Sequence, residues 1–348
     1  MNRFLLIFCL AFFVISKTAT AQQANPLTLA KDRQFDFWVG EWDVNLRIQQ
    51  PDKTWLNQVK SKAEIYSING GRAILELWND SRIQGIKGFS LRYYDWKREK
   101  WVLWLNWPSP NASGMSSLEG EFRHGRGEFF GGKGDTLTRY SFSDISPYHL
   151  RWDDAFTKDG GKTWTHNWIM EFTRTAAEPA WPEGEEGHTY DQGSRCNLPG
   201  FDVFRGLVGN WKGEAEKKSG DSWQKGSATL KGFGVLQGCA VLNFTTEQYG
   251  QEKTEAFSIK TFNTYAQKLS DGRIGDQDED TMRRYFGSVG EGKSYVMTEF
   301  DQQGEQTIIR KYDWDMRESD KIKLAVYEAP KSDNPVWVKV KQMELVKQ

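Results

Sequence analysis

From Trp42 to Ile48 the chain alternates, with Trp42, Val44, Leu46 and Ile48 on one face and Asp43, Asn45 and Arg47 on the other. A period of two is the mark of a half-buried strand. After a turn at Pro51, Asp52 and Lys53, the alternation resumes, with Val59, Ser61, Ala63 and Ile65 opposite Lys60, Lys62 and Glu64. Asn69, Gly70 and Gly71 then supply residues that tolerate the positive φ of a tight hairpin. Further strands are predicted over 72–78, 88–94, 101–107, 117–123, 127–130, 136–142, 150–156 and 164–174, joined by segments rich in Gly, Asp, Asn, Ser and Pro. Helical periodicity is confined to a short lead-in over 34–39. Many short strands at even spacing point to an all-β sandwich or a closed up-and-down barrel.

The pattern then repeats. Trp42 and Trp211 lie 169 positions apart, Phe89-Ser90 and Phe257-Ser258 lie 168 apart, and Met170-Glu171 and Met343-Glu344 lie 173 apart. Trp55 matches Trp223, and the run from Gly71 to Leu75 matches the run from Gly238 to Leu242. An offset this steady over a whole domain means a duplicated fold. Between the copies, residues 175–199 carry three prolines and acidic residues Glu183, Glu185 and Glu186, and read as an exposed linker. The expected organisation is a signal peptide at 1–21, a first domain at 26–174, the linker, and a second domain at 200–348. The length of 348 residues agrees with two domains at about 100–200 residues each.

Composition sharpens this. Arg3, the apolar run from Phe4 to Ile15 and the Ala19-Thr20-Ala21 ending form the three-part layout of a secretory signal, too short for a membrane span. No later apolar run would cross a membrane, so a periplasmic or secreted bacterial protein is expected, with no transmembrane segment after processing. Removal of Arg3 and Lys17 moves the formal net charge from −1 to −3, and no basic cluster suggests nucleic acid as a partner. Only Cys196 and Cys239 remain, enough for one disulfide in an oxidising compartment. The 16 Trp, 21 Phe and 12 Tyr supply the core and favour pleated surfaces.

The opening Gly40-Glu41-Trp42 with its helical lead-in resembles the G-x-W signature of lipocalin and other calycin barrels. In that superfamily the tryptophan closes one end, and a cation from the last strand packs across its ring. Arg174 and Lys347, also 173 positions apart, stand at the matching places. The longer string from Phe35 to Trp42, the run from Gly160 to Trp164 and the ending from Met170 to Arg174 are similar to a bacterial lipocalin-like family of unassigned function. The resemblance implies two tandem lipocalin-like up-and-down antiparallel barrels of about 8–10 strands, each holding any cavity at the mouth opposite its tryptophan. Thr157 to Trp164 also fits the Asp-box pattern of sialidase propellers, but a propeller needs many blades, and a hairpin braced by Asp159 is the simpler reading.

Chemistry is sparse. The four His, at 124, 149, 166 and 188, show no zinc spacing, and no nucleophile elbow or phosphate loop occurs. Neither a metal nor a cofactor is expected, and no catalytic set stands out. His166 shares its face with Trp164, Trp168, Met170 and Phe172, which raises haem ligation of the kind in nitrobindin-type calycin relatives, although a packed core histidine is the simpler role. Glu76, Arg92, Arg139, Arg151 and Asp154 each interrupt an apolar strand, and an inward Arg with an inward carboxylate would orient a polar head group. The candidate ligand-contacting set is Arg92, Trp104, Arg139, Asp154, His166 and Trp168. The expected partner is a small hydrophobic or amphipathic molecule in the first barrel. The alternatives are a calycin-type isomerase, cyclase or lyase working through Arg92, Asp154 and His166, or an envelope protein that binds carbohydrate on exposed tryptophans.

Overall fold

The computed structural model describes residues 29–80, 87–106, 116–180, 196, 199–264, 266–275, 282–290, 294–299 and 308–348. The signal peptide expected at 1–21 and most of the expected linker at 175–199 lie outside these residues. The first domain comprises strands β1 (Gly40–Gln49), β2 (Trp55–Ile68), β3 (Ala73–Asp80), β4 (Lys87–Asp95), β5 (Lys100–Asn106), β6 (Ser116–Arg123), β7 (Arg126–Lys133), β8 (Thr136–Ser143), β9 (His149–Thr157) and β10 (Thr165–Ala176). Each pairs antiparallel with its sequence neighbours, and β1 closes on β10. The second repeats the plan with β11 (Gly209–Ser219), β12 (Ser222–Val235), β13 (Ala240–Tyr249), β14 (Glu252–Asn263), β15 (Lys268–Gly275), β16 (Met282–Val289), β17 (Ser294–Glu299), β18 (Ile308–Asp315), β19 (Lys321–Pro330) and β20 (Val338–Lys347). The protein is all-β, two closed ten-stranded antiparallel barrels in tandem.

The lead-in folds as two 3₁₀ turns, Lys31–Arg33 and Asp36–Trp38, and drives Phe35, Phe37 and Trp38 into one end of barrel 1. Phe35 meets the rings of Trp101, Phe122, Phe129 and Phe142 at centroid distances of 4.7–5.4 Å, mostly edge to face, as ring quadrupoles favour. Trp42 completes the plug. Its Nε1 donates to the Trp38 carbonyl at 2.8 Å, and the Arg174 guanidinium lies 4.0 Å from its ring centroid. Arg174 also donates to the carbonyls of Val39, Phe37 and Pro147, so one side chain ties the last strand to the lead-in. Gly40 is required here: its φ is +140°, and a Cβ would come within 2.3 Å of Arg174 Nη1.

Barrel 2 reproduces the plug in weaker form. One short helix, α1 (Pro199–Arg205), presents Phe201 and Phe204 to Phe262 and Tyr295. Trp211 pairs across the ladder with Lys347, whose Nζ stands 5.9 Å from the ring, and its Nε1 reaches the Leu207 carbonyl at 3.2 Å. A disulfide joins Cys196 to Cys239 at a Cα separation of 4.9 Å, fastening the approach to α1 onto the turn at Leu236–Gly238.

The strands of barrel 1 that are apolar on both faces now have a reason. Tyr66, Leu75, Leu77, Phe89, Leu91, Tyr93, Val102 and Trp104 belong to the same hydrophobic core as barrel 2, including Phe257 and Ile259. Their neighbours Trp101 and Leu103 fill the interior of barrel 1. The outer face of β2–β5 is an interface between barrels, which destroys the simple alternation of a half-exposed strand.

Candidate functional site

Barrel 1 holds a cavity of about 230 Å³ at the end opposite Trp42. It is lined by Trp38, Trp78, Phe89, Tyr140, Trp152, Trp168, Met170 and Phe172, with Glu76, Ser90, Arg92, Asn106, Asp154 and Asn167 as its polar members. Alternation explains the polar set. Ser90 and Arg92 are two residues apart on β4 and share the inward face, and the ladder register sets Glu76 of β3 directly beside Ser90.

At the floor, Ser90 Oγ donates to Glu76 Oε2 at 2.6 Å and Arg92 Nη2 donates to the same oxygen at 3.3 Å. Arg92 is only 2% exposed. Its Cζ lies 3.8 Å from the Trp38 ring centroid, 5.3 Å from Phe35 and 5.5 Å from Phe142. Burial lowers its pKa to about 10, against the pull of Glu76, so it stays protonated at neutral pH. Nearer the mouth, Asp154 accepts a bond from Asn167 Nδ2 at 3.1 Å. Burial pushes the Asp154 carboxyl up to about 6, the Asn167 bond offsetting part of that and the neighbouring Asp153 adding to it. Burial raises the Tyr140 phenol as well, helped by Asp154 and Glu76.

Of the six residues singled out from sequence, Arg92, Asp154 and Trp168 meet in this cavity. Trp104 faces barrel 2, where Arg284 lies 5.0 Å from its ring. Arg139 alternates with inward Tyr140 and stacks instead on Trp164 outside the barrel, at 4.6 Å. His166 is turned outward by a β-bulge between it and Trp168, where β10 carries one extra residue against β9. Its Nδ1 stands 3.3 Å from Asp153 Oδ1 on the outer face, and Asn167 enters the cavity in its place. His166 therefore cannot ligate a haem inside the barrel, nor join Arg92 and Asp154 in one catalytic set.

Glu76, Ser90, Tyr140 and Asn167 were not in that set. The period of two within β4 and the pairing of β3 with β4 were the available signals for the first two. Nothing in the sequence marks the bulge that delivers Asn167. The hairpin from Thr157 to Trp164 forms as a braced turn: Asp159 accepts from Thr163 N at 3.0 Å, from Thr163 Oγ1 at 2.6 Å and from Thr157 Oγ1 at 2.6 Å. These bonds hold the Asp159 carboxyl below its usual range. Among the described residues no three His, Cys, Asp or Glu side chains gather closely enough to hold a metal ion.

The ladder registers place Asn243, Ser258 and Lys260 of barrel 2 where barrel 1 has Glu76, Ser90 and Arg92. Lys260 is fully buried, donates to Ser258 Oγ at 2.6 Å and pairs with Asp271 at 2.9 Å. Asp271 takes the position of Leu103, beside the cation in each ladder. Leu324, Val326 and Lys341 replace Trp152, Asp154 and Trp168, and Lys341 pairs with Glu247 at 2.7 Å.

No protein-family model matches the chain, and no curated protein matches it. Among solved structures the chain is similar to Rv2717c from Mycobacterium tuberculosis, with 8% identity over 43% of this chain and 98% of that one and a TM-score of 0.33. It is also similar to a protein of unknown function from the DUF3598 family of Nostoc punctiforme, with 12% identity over 92% of this chain and 100% of that one and a TM-score of 0.29. A mutant of the vaccine antigen transferrin binding protein B from Haemophilus parasuis matches over 88% of this chain and 76% of that one, with 7% identity and a TM-score of 0.17. At this level of likeness the architecture rests on the chain's own strand ladders.

Proposed function

We propose that this is an exported, calycin-type tandem barrel that binds one small, mainly hydrophobic molecule, and that barrel 1 is the binding barrel. The observation that carries the reading is the cavity of about 230 Å³, walled by aromatic side chains with a few convergent polar groups. That combination is the usual make-up of a ligand pocket. The contrast with barrel 2 supports it, because Lys260 there is satisfied by Asp271 and Ser258 of its own barrel. Export rests on the amino-terminal signal in the sequence.

The test is native mass spectrometry of the full processed chain purified from its host. A single adduct of small-molecule mass, lost when Trp168 is changed to Ala, is expected. A bare chain that takes up no compound from a mixed set of small aromatic and aliphatic molecules would reject the reading. A second reading, a proton-transferring isomerase or lyase, has one observation in its favour: Asp154 lines the cavity with a carboxyl raised to about 6, near where a general base works best.

A further inference from the structure

We propose that the ligand of barrel 1 is a small organic ammonium ion, held by the Asp154 carboxylate inside the aromatic wall. The inference rests on the cavity being a ligand site and adds the charge and size of the occupant.

The cavity wall carries two carboxylates, Glu76 and Asp154, against one cation, Arg92. Arg92 gives Nη2 to Glu76 at 3.3 Å and lies over Trp38, while its Nε and Nη1 have no hydrogen-bond partner among the described residues. Asp154 has Asn167 as a hydrogen-bond donor and no cationic partner among the described residues. A buried charge without a counter-charge is costly, and such groups are found paired. Among the described residues the cavity therefore presents one negative charge without a positive partner. Its walls fit that role: Trp78, Trp152, Trp168 and Tyr140 line the same space, and aromatic rings attract an ammonium group.

Barrel 2 argues the same point by inversion. At the position of Asp154 it has Val326, and at that of Trp168 it has Lys341, which pairs with Glu247. The second copy has lost the unpaired acid and its aromatic neighbour together. An anionic ligand is disfavoured in barrel 1, since its charge would come to rest near two carboxylates, Glu76 and Asp154, with the single cation Arg92 to offset them. A 150 Å³ cavity takes benzene, so about 230 Å³ accommodates roughly nine or ten non-hydrogen atoms, one ring with a short amine tail.

The experiment is calorimetric titration of the full processed chain with three probes that share a ring: phenethylamine, 2-phenylethanol and phenylacetate. Phenethylamine is expected to bind more tightly than the alcohol by roughly tenfold or more, and phenylacetate more weakly than either. Asp154→Asn is expected to bring amine and alcohol to parity while circular dichroism stays that of the wild type. The wild type gives an independent reading, because the amine remains protonated while Asp154 does not. Its affinity should fall as pH drops through about 6, with Glu76, Arg92, Tyr140 and Asp153 as the other titratable groups around the site. Equal binding of amine and alcohol, or tighter binding of phenylacetate, would overturn the charge assignment and leave the ligand site standing. Failure of all three to bind would overturn both.

Discussion

Barrel 1 sets Glu76, Ser90 and Arg92 on neighbouring inward positions, and barrel 2 sets Asn243, Ser258 and Lys260 there with Asp271 in place of Leu103. The ladders are the same. What differs is where the charges are answered. In barrel 2 the central cation is answered within the barrel, by Asp271 at 2.9 Å and Ser258 at 2.6 Å. In barrel 1 Arg92 meets Glu76 through Nη2 at 3.3 Å, but Asp154 higher in the wall has no cation among the described residues, and the aromatic side chains leave a space beside it. The duplicated fold has thus kept the same ladder and changed how its central cation is answered, through Glu76 in one copy and Asp271 in the other. Closure differs in the same sense. Arg174 lies 4.0 Å from Trp42 with three carbonyl acceptors, whereas Lys347 stands 5.9 Å from Trp211.

The largest expected effect breaks the pair in barrel 2. Lys260→Met alone removes the cation hydrogen-bonded to buried Asp271 and should cost about 3–5 kcal/mol, whereas Lys260→Met with Asp271→Leu should be close to neutral. Urea unfolding of both variants measures this. If the double variant is as unstable as the single one, the loss does not come from an uncompensated charge. Next is the covalent tie. Replacing Cys196 and Cys239 by Ser should lower stability by about 2–4 kcal/mol, since the bridge closes a separation of 43 residues. The loss should appear first in barrel 2, where both ends are anchored.

Asp154 is expected to behave in the opposite direction. Its folded-state carboxyl titrates near 6 against an ordinary value of 3.8, so folding favours the protonated form and the ionised form is a burden at neutral pH. Stability from this group should rise as pH falls from about 6 towards 4 and be constant below that. Asp154→Asn should therefore stabilise the empty protein at pH 7 by up to about 2–3 kcal/mol and have little effect at pH 4. Thermal melts at the two pH values test the sign. The smallest contrast compares the two plugs. Arg174→Ala should cost about 2 kcal/mol, through its stacking and carbonyl bonds, and Lys347→Ala no more than about 0.5 kcal/mol.

Much of the architecture was legible from Trp42, Gly40 and the alternation, because a strand with one buried face writes its period directly into the chain. The duplication was legible for the same reason, since equal folds demand equal spacing. The site was legible only in part. Arg92, Asp154 and Trp168 meet in the cavity, but Trp104 could not be oriented, because β5 is apolar on both faces and its outer face packs on barrel 2. His166 followed the period of two up to a bulge that no local residue announces, and the bulge reversed its direction. Arg139 finds an outer partner in Trp164, which arrives from a hairpin many residues away. Errors of this kind come from long-range packing, which periodicity does not carry.

The most direct test of the central difference is the stoichiometry of phenethylamine on the full chain, measured by calorimetry for the wild type and for two matched variants, Trp168→Ala and Lys341→Ala. One site per chain, lost in Trp168→Ala and kept in Lys341→Ala, is the predicted result. Two sites per chain, or loss of binding in Lys341→Ala with Trp168→Ala unaffected, would contradict the assignment of the site to the first barrel.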